Sequence, residues 1–149
     1  IAAVMETKHS LDSEFFLNAR VDSIVVITDD PKKALDESIR RGNAYAEAGA
    51  DCIFYMNVVS RDTIVQLVKE VKAPVSILAR PENPSVAELQ TLGVARVSYG
   101  AAFSRAAISA VRRLAIEIRE SGTITALKDA ISSPEMAALV SRGKARTTS

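Results

Sequence analysis

Four short apolar runs, each separated from the next by an amphipathic stretch with marked ends, constrain this chain more than any other feature. They are EFFLNAR (residues 14–20), DCIFYM (51–56), APVSILA (73–79) and VARVSY (94–99). Each is of strand length, rich in β-branched or aromatic residues and bounded by turn chemistry. After the first run, Asp30-Pro31 supplies an N-cap with proline at the first helical position. Leu35, Ile39 and Ala46 then form an inward stripe, and Gly49 stands where a left-handed C-terminal cap belongs. The same grammar recurs twice. Ser60 caps a helix that carries Ile64, Leu67, Val68 and Val71 at three-and-four spacing, and Asn83-Pro84 opens a shorter helix closed by Gly93. Strands that alternate with helices require a parallel sheet with right-handed crossovers. An open doubly wound sheet and a (β/α)8 barrel both meet that requirement, and periodicity does not choose between them.

Outside this core, the opening residues IAAVMETKH read as the body of a helix that starts at Ile1 with no start signal, so a fragment of a longer protein is expected. After the fourth run comes a long alanine-rich helix with Phe103, Ala107, Ala110, Val111, Leu114 and Ile118, ended by Gly122. Two shorter helices are expected, around residues 127–131 and from the Ser133-Pro134 cap to about Val140. The polar tail GKARTTS, residues 143–149, is expected to be flexible. The domain expectation is one partial α/β unit over residues 1–142, with C-terminal helices from about 123.

At 149 residues, with 48% hydrophobic and 25% charged residues and a formal charge of +1, the composition excludes a disordered chain and gives no strong field for nucleic acid. The single cysteine, Cys52, cannot form an internal disulfide, and neither a secretory signal nor a bilayer-spanning apolar run is visible. No nucleic-acid or membrane partner is expected. A reducing, cytoplasmic compartment is the expectation, a mitochondrial one staying open.

The candidate chemistry lies where strands end. Along an extended FFLNARVD, Asn18, Arg20 and Asp22 share one face. A guanidinium at the C-terminal end of a strand holds a carboxylate or phosphate bidentately, so Arg20 is the leading candidate. Its other reading is an internal ion pair with Asp22. Asp22 itself has three readings: to bind a cation, to orient Arg20, or to cap the next turn. The second candidate is VSYGAAFSRAA, residues 97–107, where a strand runs through Gly100 into a helix. Exposed amides beside a glycine form an anion site, to which Ser98 and Ser104 could donate, or Gly100 serves only the turn.

Other residues carry less. His9 has no second histidine or suitably spaced acid for a metal, and Cys52 reads as an inert buried thiol. Tyr45 and Tyr99 read as packing residues with a polar tip, and Arg112, Arg113 and Arg119 as the wet face of a helix. No P-loop, GxGxxG, paired-cysteine zinc motif or GxSxG elbow is present.

Taken in order, FFLNARVD, ALDESIRRGNAYAEAGADCIFY, APVSILA and SVAELQTLGVARVSYG resemble the isocitrate lyase/phosphoenolpyruvate mutase superfamily. The phrases that carry the resemblance are N-A-R-x-D, R-x-N-A-Y-x-x-A-G-A-D and L-G-V-x-R-V-S-x-G. The resemblance implies the C-terminal half of a (β/α)8 barrel, its four parallel strands equivalent to strands five to eight. It further implies cleavage or formation of C–C or P–C bonds in small 2-oxo or 2-hydroxy acids through an enolpyruvate-like intermediate, with Mg²⁺. Arg20 matches the strand-five arginine that meets the substrate, and Asp22, Ser98 and Gly100 fall at the substrate edge.

Sequence departures point within the superfamily. The metal carboxylates and the closing loop belong to the first half of such barrels, so no metal ligand is assigned here. Cys52 does not match the lyase cysteine, Met56 and Asn57 stand where lyases place a glutamate, and VSILARPEN offers no secure match to their strand-seven asparagine. A mutase-like or oxaloacetate decarboxylase-like branch is favoured over isocitrate lyase. The resemblance also implies a homo-oligomer, dimer or tetramer, with exchanged C-terminal helices. The alternative expectation is a catalytically inactive half-barrel that serves as an assembly or interaction module.

Overall fold

The structure, a computed structural model, describes residues 1–145 and the side chains of residues 1–141. It divides into two compact units, Ile1–Gly100 and Ala101–Ser149. The first unit opens with α1 (Ala2–Ser10) and holds four strands, β1 (Asn18–Val21), β2 (Cys52–Tyr55), β3 (Val75–Leu78) and β4 (Arg96–Ser98). Between them run α2 (Ser23–Val26), α3 (Pro31–Glu47), α4 (Arg61–Glu70) and α5 (Val86–Thr91). All strand pairs are parallel and the spatial order is β1-β2-β3-β4.

That order chooses between the two folds the sequence left open. Right-handed crossovers between neighbours taken in sequence put every connecting helix on the same face, whereas a doubly wound sheet reverses its order to cover both. The sheet is wound one way, as half of a (β/α)8 barrel is. An open-sheet receiver or ligand-binding domain is thereby ruled out.

The register states which residues face which way. Ala19, Ile53, Val75 and then Val21, Tyr55, Ile77 are cross-strand neighbours, all buried, and they form the core with Ile64 and Leu67 of α4 and Leu89 of α5. Leu35 and Ile39 of α3 pack at its margin. The opposite face carries Asn18 beside Cys52, and the row Arg20, Phe54, Ser76, Arg96. One face is aliphatic and sealed by helices, and the other is mixed and polar.

The strands are shorter than the apolar runs. Residues 14–17 lie outside β1 because the chain facing them is still the turn that ends α3, so Phe16 stays exposed. Of these residues, Leu17 alone reaches β2, its carbonyl accepting from the Asp51 and Cys52 amides at 3.0 and 3.2 Å.

Helix ends follow their caps. Asp30 accepts from the Lys33 amide at 2.9 Å. Gly49 and Gly93 close α3 and α5 at positive φ with the same doubled turn: Gly49 N–H to Ala46 O with Ala50 N–H to Tyr45 O, and Gly93 N–H to Gln90 O with Val94 N–H to Leu89 O. Ser60 stands at the N-cap of α4 without a side-chain hydrogen bond. α5 opens at Ser85 rather than Asn83, because Ser85 and Glu88 form a reciprocal capping box while the Asn83 amide is used elsewhere. The single turn α2 was not anticipated; its β-branched residues give no helical signal.

The phrase RRGNAYAEAGAD is explained by packing between elements. Asn43 donates to Glu70 O at 3.1 Å and accepts from the Lys72 amide at 2.8 Å, tying α3 to the end of α4. Asp51 accepts from the Leu17 amide at 2.7 Å and from Lys8 at 3.5 Å, which holds its carboxyl below the ordinary range. Tyr55 is buried against α3, its hydroxyl donating to Ser38 O at 3.1 Å, and burial pushes the phenol upward.

The second unit contains α6 (Ala102–Ser121), a single 3-10 turn (Thr125–Leu127) and α7 (Ser133–Ala145). α6 ends at Gly122 in the left-handed region, as expected. The helix expected over 127–131 is instead the one 3-10 turn, because Glu117 takes the donors that would have begun it. Its carboxylate accepts from the Thr125 and Ala126 amides at 2.6 and 2.9 Å and from the Thr123 and Thr125 hydroxyls, which lowers its pKa to about 2. Ser132, not Ser133, caps α7 in exchange with Glu135. α7 continues to Ala145, and the rest of the expected tail lies outside the described residues. No described helix is long and apolar enough to cross a membrane.

Two measurements follow from this packing. A Cβ on Gly42 would lie 2.1 Å from the Tyr55 hydroxyl, so Gly42→Ala is expected to lower unfolding free energy by about 1–3 kcal/mol in urea titrations. For Glu117 the folded pKa lies below its ordinary 4.5, so its contribution is full above that value and lost as pH falls through about 2. Carboxyl NMR is expected to show a midpoint near 2; a midpoint at 4.5 would refute the assignment.

Candidate active site

Strands of a parallel sheet present one end of every strand on a common edge, and one-sided winding leaves that edge open above the polar face. On β1, Arg20 stands on the polar face with its side chain 54% exposed, and Nε donates to Asp22 Oδ1 at 2.7 Å. Asp22 raises the guanidinium pKa further by this hydrogen bond and by its charge. The contact is the ion pair that the sequence allowed, and it is common to the structural reading of Arg20 and to the orienting reading of Asp22. Asp22 occupies the N-cap position of α2, yet its side chain makes no capping bond.

Ser98 ends β4 half-buried, its carbonyl accepting from the Ala79 amide at 2.7 Å. Gly100 follows at φ +50, its N–H directed at Ser98 Oγ at 3.4 Å. Strand and helix are separated by a turn: β4 stops at Ser98 and α6 begins at Ala102. Arg20 and Asp22 are thus brought together on one strand end and Ser98 and Gly100 on another, all on the same edge of the sheet.

Sequence reasoning missed three residues of this face. Asn57, two residues beyond β2, lies at φ +57 and its side-chain oxygen accepts from Arg80 Nη1 at 3.0 Å. Arg80, two residues beyond β3, donates its amide to Asn83 Oδ1 at 2.7 Å, and Asn83 Nδ2 donates to Val58 O at 2.7 Å. Arg96 crosses the lower part of the face to donate to the buried Ser76 Oγ at 3.1 Å. Asn57 had a signal, since it stands where lyases of the superfamily place a glutamate, whereas Arg80 and Arg96 look like ordinary loop and strand arginines.

The remaining candidates take their places quietly. Cys52 is a buried free thiol beneath this face, its pKa pushed up by burial and partly opposed by the Arg96 charge. Asn18 Oδ1 and Ser23 Oγ are buried with no hydrogen-bond partner among the described residues. Both are acceptors for water or for strands that would complete a barrel. A groove of about 750 Å³ opens between α2 and α3, lined by Asp22, Val26, Lys33, Glu37 and Arg41 among others. Asp22, the partner of Arg20, lines it, so the groove adjoins the candidate edge at β1, although Arg20 and Gly100 are not part of its lining.

A Mg²⁺ ion takes six oxygens in a near-octahedral shell, usually with one or two carboxylates. Among the described residues no group of three or more His, Cys, Asp or Glu is placed to hold a metal, and the Asp22 carboxylate is engaged by Arg20. The residues present do not make a Mg²⁺ site by themselves.

The chain matches the family phosphoenolpyruvate phosphomutase over residues 1–119. It belongs to that family. A phosphonopyruvate hydrolase of Variovorax sp. (strain Pal2) is 32% identical over 129 residues, covering 82% of this chain and 42% of that protein. A Burkholderia cenocepacia J2315 structure, provisionally named a lyase/mutase, superposes with TM-score 0.82 at 33% identity over 94% of this chain and 50% of that one. A phosphonopyruvate hydrolase in complex with oxalate and Mg²⁺ superposes with TM-score 0.64 at 31% identity, covering 89% of this chain and 47% of that one. The chain therefore spans about half the length of the relatives it matches. The phrase-level resemblance and the half-barrel fold both stand.

The turn after β4 provides a test. A side chain at Gly100 would meet Leu78 Cδ1 at 3.1 Å and be held at φ +50. Gly100→Ala is expected to cost about 1–2 kcal/mol from left-handed backbone alone, measured by urea denaturation, with Gly100→Asn costing less.

Proposed function

We propose that the protein containing this chain is a Mg²⁺-dependent lyase or mutase of small 2-oxo or 2-hydroxy acids, in the mutase-like branch, and that this chain supplies the cationic half of its active edge. The observation that carries the reading is an exposed guanidinium, Arg20, oriented by Asp22 on the polar face at a strand end of a one-way-wound parallel sheet. Breaking a C–C or P–C bond next to a 2-oxo group leaves enolate charge, and fixed cations aimed at developing charge are commonly the largest catalytic term. Arg20 neutralises that charge or the departing group. Asp22 holds the guanidinium plane so that its remaining N–H groups face the acid. The Gly100 turn and Ser98 receive the substrate carboxylate.

Bound Mg²⁺ would supply further stabilisation of the enolate oxygens, with ligands from outside these residues. We further propose a cytoplasmic homo-oligomer, assembled through the helices beyond Gly122, whose apolar residues such as Ile124, Leu139 and Val140 are exposed. The inactive-module reading makes the opposite prediction for catalysis.

The test is pyruvate release from oxaloacetate and phosphonopyruvate by the complete protein, with Mg²⁺ and with chelator. Arg20→Ala is expected to lower kcat by about 10²–10³, the cost of losing one oriented donor to developing charge. Near-normal turnover in that variant would remove Arg20 from the reacting centre, and no release by the unaltered protein would favour the assembly module.

A further inference from the structure

We propose that the turn over residues 80–83 is a strut that ties the ends of β2, β3 and β4 together, so that this side of the candidate edge yields as one body rather than loop by loop. Asn83 is its keystone. The inference rests on contacts between strand ends and stands apart from the 2-oxo acid reading.

The turn is closed twice over. Asn83 N–H donates to Arg80 O at 3.1 Å, and Arg80 N–H donates back to Asn83 Oδ1 at 2.7 Å. Pro81 stands at the second position, where its fixed φ suits such a turn, and Pro84 biases Asn83 toward extended backbone. Directly afterwards, Ser85 and Glu88 form the capping box that opens α5. A connection pinned at so many points has few other conformations to adopt, so a displacement at one end is passed to the other.

From this rigid piece, contacts run to both neighbouring strands. Toward β4, Ala79 N–H donates to Ser98 O at 2.7 Å, one residue before the turn begins. Toward β2, two donors leave the turn and land on consecutive residues: Arg80 Nη1 on Asn57 Oδ1 at 3.0 Å, and Asn83 Nδ2 on Val58 O at 2.7 Å. The left-handed backbone at Asn57, φ +57, is where the loop after β2 turns to meet this grip.

The two donors differ in weight. Val58 is 1% exposed and belongs to the aliphatic core, so the Asn83 bond fastens the loop after β3 to a point that moves only with the core. That bond is part-buried, and its carbonyl would be left without a donor if Asn83 withdrew. The Arg80 bond is exposed, where water replaces a lost partner at little cost. Asn83 therefore carries most of the coupling and Arg80 adds to it. Loops that merely lay side by side would share only exposed contacts.

Hydrogen exchange by NMR on the complete protein reads this amide by amide. Asn83→Asp keeps the acceptor for Arg80 N–H but sets an oxygen against Val58 O in place of the donor. It is expected to speed exchange of the Ala79 amide, on the β4 side of the turn, by about tenfold, the loss of one part-buried hydrogen bond. Asn57→Gly suits φ +57 and removes only the acceptor for Arg80. Although it lies in the other loop, it is expected to speed exchange of the Arg80 and Asn83 amides by about threefold. The Ile53 amide, which donates to Pro74 O at 2.9 Å at the opposite end of the sheet, is expected to stay unchanged in both variants. No change at Ala79 in the first variant, or at Arg80 and Asn83 in the second, would show that the loops yield separately and overturn the proposal. An equal rise at Ile53 would also overturn it, by making the turn part of the stability of the whole sheet.

Discussion

Helices cover one face of the sheet and not the other, and side-chain alternation then commits each strand residue to one of two environments. On the helix side, Ile53, Tyr55, Ile64, Leu67 and Ile77 are removed from water together, and the drive to bury them holds the first unit closed. Polar atoms placed in that layer are paired: the Tyr55 hydroxyl has an acceptor in Ser38 O and a space cleared by Gly42, and the Ser38 hydroxyl donates to Ala34 O. Residues of opposite parity cannot join this core. They take the other face, where Arg20 and Arg96 stay exposed and the buried Ser76 hydroxyl is paired with Arg96. The polar face is thus a direct consequence of one-way winding.

What that face does with its charge differs from residue to residue. Arg96 spends its side chain on Ser76 Oγ, covering the layer that hides Cys52, and belongs to the floor of the half-barrel. Arg20 is held by Asp22, and Arg80 by Asn57. Of these three guanidiniums, one is paired with a carboxylate and two with neutral groups.

The legible parts of the sequence were those whose cause is local. Asp30 and Gly49 bracket α3 as read, because a cap needs only its own turn, and the four apolar runs all became strands. Strand ends were not legible, since residues 14–17 would have required a neighbour on β2 that the α3 turn does not supply. The turn at Thr125 depends on a carboxylate eight residues earlier, and α5 begins late because Asn83 is drawn toward Val58, twenty-five residues away. Arg20 could be found from the family phrase around it. The pairing of Asn57 with Arg80 could not, because it forms only when two loops, twenty-three residues apart, are brought into contact.

The two ends of the sheet divide the work. The helix-to-strand connections after α3 and α5 are closed by local backbone bonds, at Gly49 and Gly93, and reinforced by Asn43 and Asp51. Strand-to-helix connections carry paired polar side chains: Asp22 with Arg20, and Asn57 with Arg80. A substitution at the first end acts on folding, since the contacts there are what align one β-α unit with the next. At the second end the same chemical change acts on what the edge can hold, because the strands beneath are already fixed by the aliphatic layer. The loop after β2 turns at Asn57 in the left-handed region, which asparagine tolerates better than most residues. The separation of the two ends lets related chains vary their substrate groups on a shared frame.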